Sequence, residues 1–199
     1  MRLRPFFIMA KVIYQKRTFP IDQELRLDAG EGSAAAAILK GHAAVFNEEA
    51  DIGWFREVIR PGAFADSIAK DDIRALWNHD PNFVLGRKKN GTLRLSEDSI
   101  GLAVEIDPPQ NFWANSLIDS IKRKDVDQMS FGFFVLDENW MKKNGKRIRE
   151  IQKVQLFDVS PVTFPAYVGT DISARSLGDP ASYEDLEAYF LRSGEEKAG

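Results

Sequence analysis

Asp127-Gln128-Met129-Ser130-Phe131-Gly132-Phe133-Phe134-Val135 decides how the chain is read. Side chains alternate along a strand, so Met129, Phe131, Phe133 and Val135 share one face and Ser130 and Gly132 the other. Asn144-Gly145 supplies a two-residue hairpin turn, and a second long strand returns from about Arg147 to Thr163. A serine and a glycine among large apolar residues have two readings. They are small residues packed beneath a helix, or they form a shallow floor that a substrate backbone can approach. No glycine stands two positions before Ser130, so this is not the nucleophile elbow of an α/β-hydrolase.

Further strands are predicted on both sides. Ile38 to Phe46 is one. Ile73 to His79 alternates as another, and Leu102, Val104 and Ile106 mark a third. Asn90-Gly91 predicts a hairpin between Val84–Lys88 and Thr92–Leu95. Helices are expected for Pro61–Lys70, with Phe64 and Ile68 one turn apart, and for Phe112–Lys124, with Trp113, Leu117 and Ile121 on one face. Many strands, short turns and few helices predict a mainly β fold of the α+β class, an antiparallel barrel or a sandwich. The domain is expected at residues 35–175. Residues 1–34 form an N-terminal arm with a first strand around Arg17 to Leu27, and its first eight residues fit no element. Residues 176–199 begin as a linker and carry a short amphipathic helix from Tyr183 to Arg192.

Composition removes several function classes. The 199-residue chain contains no cysteine, which excludes disulfides, thiolate nucleophiles and cysteine-ligated zinc. Its net charge of −3, with acids and bases mixed, offers no basic stripe for nucleic acid. No apolar run approaches the roughly 18 residues of a membrane span. There are two histidines, His42 and His79, without the helical spacing of a zinc site. No metal or other cofactor is expected.

A serine hydroxyl is a weak nucleophile near neutral pH and needs a base within hydrogen-bond reach. His79, in Leu76-Trp77-Asn78-His79-Asp80-Pro81, ends a strand before a turn and can project toward a cleft; otherwise it is a surface turn residue. Asp80 is a poor orienter for it, because adjacent strand residues point apart. Asp158, a lone acid in the apolar strand Val154–Ser160, is the candidate third group. A regular hairpin at Asn144-Gly145 objects: it sets Val159 opposite Ser130 and turns Asp158 to the other face. A one-residue bulge would repair this, and the apolar phase does shift from Ile148 and Ile151 to Val154 and Leu156. The other reading pairs Asp158 with Arg87 or Arg94.

At these residues the sequence resembles the prohead proteases of tailed phages related to HK97. The pieces that carry the resemblance are Gly41-His42-Ala43-Ala44-Val45-Phe46-Asn47, Phe55-Arg56-Glu57-Val58-Ile59-Arg60-Pro61-Gly62-Ala63-Phe64, Trp77-Asn78-His79-Asp80, Met129-Ser130-Phe131-Gly132-Phe133, and Val159-Ser160-Pro161-Val162-Thr163-Phe164-Pro165-Ala166-Tyr167. The resemblance implies a barrel similar to that of the herpesvirus assemblin proteases, wrapped by helices. It implies a serine endopeptidase that cleaves the scaffold segment of capsid proteins inside the procapsid, in the bacterial host cytoplasm, and then itself. The family serine falls on Ser130, the histidine on His79 and the acid on Asp158. His42 stands where an aromatic is expected and reads as structural. Implied partners are the major capsid protein and its scaffold segment, with the portal protein and further copies of the protease as additional candidates. The alternative is a non-enzymatic internal scaffold for the procapsid.

Overall fold

The computed structural model describes residues 14–19, 26–29, 37–53 and 55–164. In chain order the strands are β1 (Tyr14–Phe19), β2 (Arg26–Ala29), β3 (Ala37–Val45), β4 (Ala50–Asp51), β5 (Arg56–Ile59), β6 (Arg74–Trp77), β7 (Asp80–Arg87), β8 (Leu93–Glu97), β9 (Gly101–Ile106), β10 (Gln128–Lys143) and β11 (Lys146–Val162). The helices are α1 (Ala65–Lys70) and α2 (Phe112–Lys122). The expected C-terminal helix, and the residues before Tyr14, lie outside the described residues.

The strands form two sheets. One holds seven strands, in the order β1-β10-β11-β5-β4, with β6 added to β11 and β7 to β6. The other runs β2-β3-β9-β8. The mainly β expectation holds, but the sheets are not wholly antiparallel: β11 runs parallel to both β5 and β6. Among the described residues neither set of pairings closes into a ring. The arm expected to carry one strand from Arg17 to Leu27 carries two instead, β1 in the first sheet and β2 in the second.

The hairpin of β10 and β11 is the backbone of the larger sheet. Asn144 and Gly145 both take positive φ, 51° and 78°, between the paired Lys143 and Lys146. That left-handed pair matches the twist of the flanking strands. Asn90-Gly91 behaves differently. Lys88–Asn90 form a 3₁₀ turn and Gly91 is left-handed at φ 80°. β7 pairs with β6 and β8 with β9, so this turn passes the chain from one sheet to the other and makes no hairpin.

β11 meets β5 only at Ile148–Ile151 and β6 only at Asp158 and Val159. Its exposed donors between these contacts need partners. The segment leading into α1 provides them: Val154 N–H donates to Ala63 O at 3.0 Å. From the helix itself, Leu156 N–H donates to Ser67 Oγ at 2.8 Å. The short helix thus fills a gap in the sheet and holds β11 straight ahead of Asp158.

One apolar core lies between the sheets. Leu39, Leu102, Val104 and Ile106 come from the smaller sheet, Phe131, Phe133 and Val159 from the larger, and Leu117 and Ile121 from α2. Phe64 is fully buried, with its ring centroid 5.4 Å from that of Phe131 and 6.1 Å from that of Phe46. Phe64→Ala removes a ring packed between Phe131 of the larger sheet and Phe46, just past the end of β3, and should cost about 3–5 kcal/mol of stability. A urea titration measures it, and a loss under about 1 kcal/mol would mean that the ring does not bridge the layers.

Candidate active site

Ser130, His79 and Asp158 come together on the face of the larger sheet turned away from Phe131 and Phe133. The register explains how. Near the hairpin end Lys143 faces Lys146, as a regular ladder requires, but at the far end Ser130 faces Ser160 and Gly132 faces Asp158. Between Gly132/Asp158 and Phe133/Leu156 one extra residue, Phe157, bulges from β11. The bulge moves Asp158 onto the face of Ser130, since directly opposed residues share a face. The geometric objection to Asp158 is thereby removed. Its alternative partners are engaged elsewhere: Arg87 with Asp72, and Arg94 with Glu105 and Asp107.

His79 was expected at a strand end and instead lies in a turn. β6 stops at Trp77, and Asn78 and His79 take φ of 54° and 60° before Asp80 resumes the ladder. Positive φ is uncommon for a residue with a Cβ and requires support. The support comes from the strand that carries Asp158. Asn78 N–H donates to Pro161 O at 3.0 Å, and Thr163 N–H donates to Asn78 Oδ1 at 2.9 Å. The turn is therefore clamped to β11, and the imidazole is set by backbone contacts as well as by its own. Asp80 accepts from Asn82 and does not orient His79.

The distances are those of a relay. His79 Nδ1 lies 2.6 Å from Asp158 Oδ2, and His79 Nε2 lies 2.7 Å from Ser130 Oγ. A carboxylate only accepts, so Nδ1 carries the proton and Nε2 presents its lone pair to the serine hydroxyl. Ser130 Oγ also lies within donating distance, 3.0 Å, of Arg17 O on β1. One hydroxyl proton serves one acceptor at a time, so transfer to His79 takes it from that carbonyl. The three side chains are largely buried: Ser130 is 1% exposed, and the side chains of His79 and Asp158 are 7% and 5% exposed.

Two residues missed in the sequence complete the surroundings of the acid. Ser160 Oγ donates to Asp158 Oδ2 at 2.6 Å, and Tyr14 OH donates to Asp158 Oδ1 at 2.8 Å. Ser160 was findable, because it lies two residues beyond Asp158 on the same strand face. Tyr14 carried no local signal. Burial pushes the Asp158 carboxyl up, but the hydrogen bond and charge of His79, with the hydroxyls of Ser160 and Tyr14, outweigh it and hold the group below its usual value. Burial, together with the charge and hydrogen bond of Asp158, pushes the Tyr14 hydroxyl up, so it stays a donor.

Gly132 has a steric reason. A Cβ there would stand 1.9 Å from Tyr14 OH and 2.4 Å from Asp158 Oδ1. The glycine makes room for the tyrosine–aspartate contact. His42 pairs with Asp98 at 2.8 Å, away from this cluster, as a structural residue would. The arrangement of hydroxyl, imidazole and buried carboxylate can deprotonate a serine and stabilise the imidazolium that results.

A family model described as caudovirus prohead serine protease matches residues 23–182. Among solved structures, the capsid assembly protease of bacteriophage T4 superposes with a TM-score of 0.51 at 10% identity, covering 78% of this chain and 100% of that one. At that identity the likeness is one of fold. No curated protein matches the chain.

Proposed function

The chain belongs to the caudovirus prohead serine protease family, and on that premise we propose that Ser130 is the nucleophile, His79 its general base and Asp158 the acid that holds the imidazole. The observation that carries the assignment is the unbroken chain of contacts from Ser130 Oγ through His79 to Asp158. Ser130 Oγ attacks the carbonyl carbon of the scissile peptide while its proton passes to His79 Nε2. The oxyanion collapses, the C–N bond breaks, and His79 gives the proton to the leaving amine. Water then attacks the acyl ester, His79 takes its proton, and that proton returns to Ser130 Oγ as the acid product leaves. Asp158 stays ionised throughout.

The protein is a serine protease of capsid maturation. We infer that its substrates are the scaffold segment of the capsid protein and then the protease itself, inside the procapsid in the bacterial host cytoplasm. Portal protein and further copies of the chain are proposed as additional partners on the resemblance alone. Relation to the HK97 type and to the herpesvirus barrel is proposed on the same resemblance, supported by the single core shared between the two sheets. The domain limits at residues 35 and 175 are likewise proposed. β1 and β2, in the arm before residue 35, pair into the larger and the smaller sheet respectively. The oxyanion needs donors as well, and Arg147 and Arg149 are engaged elsewhere. Arg149 is held by Glu57 and Glu138, and Arg147 lies 4.8 Å over the Trp140 ring, near the hairpin end of β10 and β11.

Diisopropyl fluorophosphate tests the site directly. The hydroxyl of Ser130 should displace fluoride, forming a serine O–P bond, with its proton passing to His79. Peptide mapping should place the adduct on Ser130. Co-expression with the major capsid protein should release a fragment detectable by intact mass. An adduct on Ser160 instead, or an untouched capsid protein beside a labelled Ser130, would overturn the residue assignment or the substrate assignment respectively.

A further inference from the structure

We propose that Tyr14 is a positioning residue of the active site: its hydroxyl fixes Asp158, and through Asp158 it fixes His79. The proposal rests on the triad reading above and deepens it.

Three observations converge on it. Tyr14 OH donates to Asp158 Oδ1 at 2.8 Å, which is the oxygen that His79 and Ser160 leave open. Gly132, which directly faces Asp158 across the hairpin, lacks the one atom that would collide with this hydroxyl. The Tyr14 ring is held edge-on between Phe134, at 5.5 Å, and Phe157, at 5.9 Å. Phe157 is the bulged residue that brings Asp158 to the correct face. The bulge therefore does two things in one step. It turns the acid toward His79 and supplies one wall of the slot for the tyrosine ring.

The chemistry gives the hydroxyl a function. A carboxylate with one oxygen bound at a single side can rotate about χ2, and each rotation moves the acceptor away from His79 Nδ1. With Oδ1 tied to a ring packed between two others, that rotation is stopped. Preorganised groups of this kind act by removing reorganisation from the reacting state. A buried carboxylate with an unfilled acceptor also holds its charge less well. Tyr14 supplies both corrections from a strand that precedes the matched family region, which begins at residue 23.

The test measures inactivation of the full-length protein by diisopropyl fluorophosphate, separated into the binding constant KI and the rate constant kinact. Tyr14→Phe keeps the ring and removes the oxygen. It should lower kinact about tenfold, the size expected for one hydrogen bond to a charged group. KI should hold, and the thermal midpoint should fall modestly, because a buried carboxylate loses one donor. In an Asp158→Ala background Tyr14→Phe should cost nothing further, since the group it positions is gone. Phe134→Leu, which trims a ring neighbour and leaves the hydroxyl, serves as the packing control and should fall less than Tyr14→Phe. An unchanged kinact in Tyr14→Phe, a full additional loss on top of Asp158→Ala, or a change confined to KI would each overturn the role. If Asp158→Ala itself labels at the wild-type rate, the triad reading falls first. If Asp158→Ala is damaging and Tyr14→Phe is inert, only the tyrosine is wrong.

Discussion

Ser130→Ala should abolish capsid processing and leave the fold in place. The loss should be roughly six orders of magnitude in turnover, as for removal of a nucleophile from a complete relay. His79→Ala should be nearly as damaging, and the double variant hardly worse, because residues that act as one unit are not additive. Stability is a separate matter. Ser130 is buried and its hydroxyl meets both His79 Nε2 and Arg17 O, so its removal costs about 1 kcal/mol. That is small beside the Phe64 truncation. A Ser130→Ala protein that unfolds with a large shift in urea midpoint would favour the purely structural reading of this serine. Multiplicative losses in the double variant would dissolve the dyad.

Asp158→Asn should lower kinact by up to roughly 10⁴, less than loss of Ser130. The change is isosteric, but three donors converge on this carboxylate, from His79, Ser160 and Tyr14. If the amide nitrogen faces His79, it opposes Nδ1–H and forces the other tautomer, so Nε2 no longer accepts from Ser130. If it faces Tyr14, the tautomer survives and the charge that stabilises the imidazolium is still lost. The pH dependence has a definite sign. The folded carboxyl titrates below its ordinary 3.8, so its contribution to stability is complete above that value and lost only as pH falls through the lower, folded one. Any acid limb of activity above pH 3.8 in the wild type therefore belongs to another group. A fully active Asp158→Asn would place the third member elsewhere.

Much of this was legible from side-chain alternation alone. The apolar phase of β10 placed Met129, Phe131 and Phe133 in the core, where they lie, and Ser130 opposite them, where it meets His79. The phase shift between Ile151 and Val154 pointed to a bulge, and Gln152 is the extra residue there; Leu136 on β10 offsets it, and a further bulge at Phe157 is the one that turns Asp158. Other features were not legible, for identifiable reasons. His79 reads as a strand residue because alternation runs up to it, yet its backbone is left-handed, a conformation held by Pro161 and Thr163 from a distant strand. Asn90-Gly91 carries a hairpin signature, but the flanking strands find partners in different sheets. Tyr14 is invisible locally, since its function depends on a partner far along the chain. Parallel pairing of β11 with β5 and β6 is invisible for the same reason: both contacts depend on long-range packing of the turn and helix that separate them.

The distance between Tyr14 and Asp158 also bears on when the enzyme becomes dangerous to its neighbours. The two residues are 144 positions apart, and β1, near the start of the chain, pairs with β10 and through it with β11. During synthesis the first strand leaves the ribosome long before either partner exists. At roughly 5–20 residues per second, many seconds separate the emergence of the tyrosine from that of the carboxylate. Closing so long a loop carries an entropic cost that is recovered only when the strands dock. A chain not yet extended through β11 consequently lacks Asp158, and the proposed triad cannot form in it.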